Sequence, residues 1–144
     1  EHHPGPMNSS IWVIIPELEV MFIGDAVPTI APPFVGFSLV EEWLDALDVL
    51  REPDFREYSM VSARNGLIER SHINDAARFL RKVRDRVKKL EDEPEGTELI
   101  DEMAQELLDD FPRSEDTDAQ FELRLKLGLE QQHMRFLEDE EEES

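Results

Sequence analysis

Leu18-Glu-Val-Met-Phe-Ile-Gly-Asp-Ala-Val-Pro-Thr-Ile-Ala-Pro-Pro-Phe34 reads as a strand that ends on a carboxylate and runs into a proline-rich loop. Val20, Met21, Phe22 and Ile23 form a continuous apolar run of the kind buried on both faces of a sheet, and Gly24 lets the chain turn sharply. Asp25 then falls at a strand's carboxyl end, where α/β proteins place ligands and metals. An Asp after a Gly is equally an ordinary turn residue. Upstream, Ile11-Trp-Val-Ile-Ile15 is a second β-rich run separated only by Pro16-Glu17, which predicts an antiparallel hairpin. Downstream, Pro28, Pro32 and Pro33 each remove a ladder donor, so 27–37 is expected to be a loop crossing the end of the sheet, anchored by Phe34 and Phe37.

Helical spacing takes over next. Ser38-Leu-Val-Glu41 has the pattern of a capping box, and Leu39, Val40, Trp43, Leu44, Leu47 and Leu50 recur as one face of a helix over about 39–51. Glu52-Pro53-Asp54 stops it; Tyr58-Ser-Met-Val-Ser62 is a third strand leading into the turn Ala63-Arg-Asn-Gly66. Ser71 is placed to cap a long helix from His72 to about Leu90, with Ile73, Ala76, Ala77, Leu80, Val83, Val87 and Leu90 as its apolar stripe. Glu91 to Gly96 breaks that helix, and Thr97 is placed to cap the next, whose apolar face is Ile100, Met103, Ala104, Leu107, Leu108 and Phe111, with Pro112 ending it. A last helix carries Phe121, Leu125 and Leu129, with Leu123 and Leu127 broadening its apolar surface so that it meets more than one neighbour. The acidic run 138–144 is expected to fray. His72 and His133, near a helix start and a helix end, read as surface or capping residues.

At 144 residues the chain is one domain, expected over 7–137, with strands and helices to about 90 and a helical extension over 97–137. Residues 1–6, before Met7, have the look of an affinity-tag remnant, which leaves His2 and His3 out of any metal argument. The absence of cysteine excludes disulfides and thiolate chemistry and fits a reducing, cytoplasmic compartment. A formal net charge of −20 repels a phosphate backbone and an anionic membrane, so neither nucleic acid nor membrane is an expected partner; it reads first as a solvated face with an acidic tail and second as a surface for a basic protein partner. The basic residues concentrated between Arg78 and Lys89 are expected to pair with acidic neighbours within the chain or between subunits.

Phe22-Ile-Gly-Asp25, the proline-rich loop, the helix with Trp43, Leu44, Ala46 and Leu47, then Tyr58-Ser-Met-Val-Ser-Ala-Arg-Asn-Gly66 and a helix with Phe79-Leu80 together resemble the C-terminal half of a metallo-β-lactamase-fold hydrolase. The resemblance covers roughly 11–90. It implies half of an αββα sandwich: a short mixed sheet with flanking helices, here followed by further C-terminal helices. In that family the Gly-Asp segment delivers a metal-bridging aspartate and a later turn delivers a histidine ligand. The family's His-x-His-x-Asp-His cluster has no counterpart here, and Arg64 stands where the histidine is expected. A protonated guanidinium cannot coordinate a cation. Asp25 and Arg64 are thus expected to be vestigial metal-site positions, paired with each other.

The resemblance implies a non-catalytic half-domain with no cofactor and a binding or regulatory role. Its open sheet face would be covered by a second copy in a homodimer, or by the helices of 121–137 within one chain, with Trp12, Phe22, Phe121, Leu125 and Leu129 as the dimer or core face. The alternative is a fragment or subunit of a hydrolase in which Asp25 binds zinc, iron or manganese completed by another chain. Met7 as a native start favours the first reading.

Overall fold

The computed structural model describes residues 1–7, 10–92 and 97–143. Two short strands, β1 (His2–His3) and β2 (Ser10–Ile11), pair antiparallel, so the segment expected to be a tag remnant is built into a ladder. His3 stacks on Trp12 at 3.7 Å between ring centroids. A mixed sheet follows, in the order β3 (Val13–Ile15), β4 (Val20–Gly24), β5 (Ser59–Ser62), β6 (Gly66–Ile68). The β3–β4 hairpin has the expected pairing, Val13 opposite Phe22 and Ile15 opposite Val20. Its connection is a 3-10 turn over Pro16–Leu18 closed by Glu19 at φ 52°. β5 lies parallel to β4, and β6, which the sequence did not reveal, returns antiparallel from the Asn65-Gly66 turn.

The sheet is buried on one face only, contrary to the expectation from the run at 20–23. Met21, Ile23 and Met60 are fully enclosed in one core with residues of α1 (Val40–Leu50) and α2 (Arg70–Glu91), whereas Phe22 between them is 44% exposed. Alternation of side chains across the pleat explains the split: helices occupy the face of Met21 and leave that of Phe22 open. Trp43 locks α1 beneath the strand end, its indole N–H donating to the Ala26 carbonyl at 2.8 Å.

Helix starts differ from expectation. Ser38 does not cap α1; its hydroxyl donates to the Val35 carbonyl at 2.8 Å and serves the loop instead. Ser71 lies inside α2, which Glu69 caps in a reciprocal box with His72, whose Nδ1 accepts the Glu69 N–H at 3.0 Å. The linker 93–96 and the side chain of Thr97 lie outside the described residues. The stripe of α3 (Thr97–Leu108) is buried as read, with Phe111 set edge-on to Phe79. Acidic partners meet much of the basic face of α2: Lys82 with Asp110, Arg84 with Glu41 and Arg86 with Glu106.

α4 (Asp118–Glu143) extends through the acidic run rather than fraying before it, glutamate being a good helix former. It packs on α2 and α3 and does not cover the open sheet face. His133 is buried on it, one turn beyond Leu129, and not a surface cap. The loop 27–37 is anchored by buried Val27 and Val35, while Phe37 is half exposed and meets Phe34 edge-on. Because prolines deprive this loop of ladder bonds, α4 supplies its donors. Arg124 reaches the Pro32 carbonyl, Gln132 those of Val35 and Ser38, and Arg135 those of Gly36 and Ser38. Among the described residues no helix is long and apolar enough to cross a membrane.

Candidate functional site

Two turns at the end of the parallel β4–β5 pair build the site. The register shifts between Phe22 and Gly24, and Gly24 takes φ 58°, which carries the chain off the strand and leaves Asp25 beyond its end. Ala63 donates its N–H to the Gly24 carbonyl at 2.8 Å, tying the second turn to the first. In that second turn the buried Ser62 hydroxyl accepts the N–H groups of Arg64 and Asn65, and Gly66 at φ 68° starts the return strand. The result sets Arg64 across from Asp25, Nε donating to Oδ1 at 3.2 Å. The resemblance set these two residues opposite one another and suggested the pairing, 39 positions apart in the sequence.

The pair is more open than a metal-replacing ion pair in a closed site. The side chains are 78% and 45% exposed, so it contributes no more than about 1 kcal/mol to stability. It forms one end of a cleft of about 680 Å³, with Ser62 and Asn65 alongside, Pro28, Ile30 and Phe37 on the wall, and Arg124 entering from α4. Arg124 lies 5.4 Å from the centre of the Phe121 ring. Its place here is not legible in the sequence, because nothing local connects α4 with a loop more than ninety residues earlier.

The residues do not fit zinc, iron or manganese. Such ions need several donor side chains, and the neighbours of Asp25 in the cleft are a guanidinium without lone pairs, a hydroxyl and an amide. Among the described residues, no group of three or more His, Asp or Glu side chains is placed to hold a metal ion.

A second surface lies on the open face of the sheet. Val13, Phe22, Val61 and Leu67 are paired in register and form a continuous row across all four strands, with Ile15, Val20 and Ser59 in the row beside it. Leu67 is 72% exposed and Val13 50%. None of these residues carries charge, in a chain where 35% do. Of the other residues expected on a dimer or core face, Trp12, stacked on His3, and Leu125 and Leu129 lie in the core, and Phe121 is partly buried beside it.

Fold and site together define a small mixed α/β protein with a cleft at its parallel strand ends. No protein-family model matches the sequence, and comparison with curated proteins finds no match either.

Proposed function

We propose that the chain is a non-catalytic, homodimeric half-domain of the metallo-β-lactamase type that binds rather than hydrolyses. The observation that carries this reading is the uncharged row Val13, Phe22, Val61 and Leu67, left open while helices bury Met21, Ile23 and Met60 on the opposite face. Apolar faces of this kind find a partner in water, and sheets pack face to face about 10 Å apart. The partner is a second copy: a row lying across the sheet is self-complementary about a two-fold axis through its middle, and two strongly acidic chains repel one another least where charge is missing. The half-sandwich becomes a whole one by this pairing. The Asp25–Arg64 pair supports binding in place of hydrolysis, because a carboxylate engaged by a guanidinium is not free to ligate a metal.

Light scattering on the purified chain tests it. The expected mass is twice 16.8 kDa, falling to 16.8 kDa in Phe22→Glu, which places a carboxylate mid-row while keeping the helix-facing residues intact. A wild-type monomer at micromolar concentration overturns the reading. A dimer that Phe22→Glu leaves unchanged assigns the contact to another surface.

A further inference from the structure

We infer that the cleft beside Asp25 and Arg64 is a binding site for a small amphipathic carboxylate, an aliphatic or aryl acid whose head meets Arg64 and whose body lies on the proline-rich wall. The volume, about 680 Å³, suits a ligand of that size. The wall offers Pro28, Ile30 and Phe37, and Ile30 and Phe37 expose more than half of their surface. An apolar body placed there removes that surface from water.

The charges select the head group. Two guanidiniums and one carboxylate line the cleft, so it carries one surplus positive charge within a chain of net charge −20. Arg64 has five N–H donors, and its contact with Asp25 uses Nε alone, which leaves the terminal nitrogens for a planar anion. Asp25 fixes the guanidinium in place and limits what it accepts. A monoanion gains the second fork, whereas a phosphate dianion meets the Asp25 carboxylate and the field of the whole acidic chain. Ser62, whose oxygen already accepts two backbone N–H groups, keeps its own hydrogen to donate, and the Asn65 amide lies beside it. Arg124 is held by Pro32 and Phe121 and supplies the second positive charge from the α4 side.

This inference rests on the cleft being a binding site and not on the dimer, whose state is read separately from the mass. Octanoate and its neutral counterpart octanamide are titrated into the full chain by calorimetry, with Arg64→Gln, Ile30→Asp and the distant surface variant Lys89→Gln alongside. Octanoate is expected to bind saturably, at least about fivefold tighter than octanamide, since a hydrogen bond to a charged group adds that much or more. Arg64→Gln is expected to erase the preference, Ile30→Asp to weaken both ligands, and Lys89→Gln to change neither. Equal affinity for acid and amide, a preference for octanoate over octanamide that survives Arg64→Gln, or no saturable binding overturns the proposal. A dimer without octanoate binding overturns this inference alone; a monomer that binds octanoate overturns only the dimer.

Discussion

His133 shows how far a single side chain can depart from its residue type's ordinary role. It is buried on α4, and its Nε2 has no hydrogen-bond partner among the described residues. An imidazole nitrogen taken from water without a partner costs free energy that an apolar side chain of similar size does not. His133→Leu is therefore expected to stabilise the protein by about 1 kcal/mol, read as a higher urea midpoint at unchanged slope. Only spacing signals this burial: His133 lies four residues after Leu129 and eight after Leu125 on one face of α4, while its immediate neighbours, two glutamines, Met134 and Arg135, read as surface. Asp25 and Arg64 were more legible. Each belongs to a turn with its own glycine, Gly24 or Gly66, and turn chemistry is local enough to read without the fold.

At the scale of elements, the start of α4 is held by charge. Asp118 accepts the Ser114 backbone N–H at 2.9 Å and the Arg113 Nε at 3.1 Å, and these hold its carboxyl below the ordinary 3.8. A depressed folded value means that the carboxylate's contribution is complete above pH 3.8 and disappears as pH falls through the lowered one. Asp118→Asn is expected to lower the melting temperature near neutral pH, with the gap to wild type closing below pH 3.8. A gap that is constant with pH contradicts the charge's role. Further along, Gly128 lets α4 approach the loop: a Cβ there meets Val35 Cγ2 at 2.9 Å and the Val35 nitrogen at 3.2 Å. Helix propensity alone predicts that Gly128→Ala gains about 1 kcal/mol, but overpacking against backbone costs about 1–3 kcal/mol, so net destabilisation is expected in a urea melt. Helix and strand identities were legible here because their periods differ; helix caps were not. Ser38 and Ser71 match the cap preferences, yet tertiary demand assigns Ser38 to the loop and gives the start of α2 to Glu69 and His72. The strand β6 escaped notice because three residues carry too little alternation to read.

For the molecule as a whole, the distribution of charge matters more than its sum. A net charge of −20 opposes association of two copies, while the sheet face offers an uncharged place for it. Raising ionic strength from about 0.1 M to about 1 M shortens the screening length from about 10 Å to about 3 Å. The proposed dimer is therefore expected to tighten with salt, measured as a lower dissociation constant in sedimentation equilibrium. Weakening with salt contradicts an apolar contact between acidic copies and points to a basic partner surface. Half-burial of the sheet was the aspect of the whole molecule that the strand β4 concealed: a continuous apolar run looks alike whether its second face is covered or open.

The hydrogen bonds from α4 to the proline-rich loop also set an order in time. Sheet, α1 and α2 are all encoded before residue 92, but the carbonyls of Pro32, Val35 and Ser38 wait for donors at Arg124, Gln132 and Arg135. These donors are therefore the last part of the cleft's surroundings to be synthesised, more than ninety residues after the loop they hold.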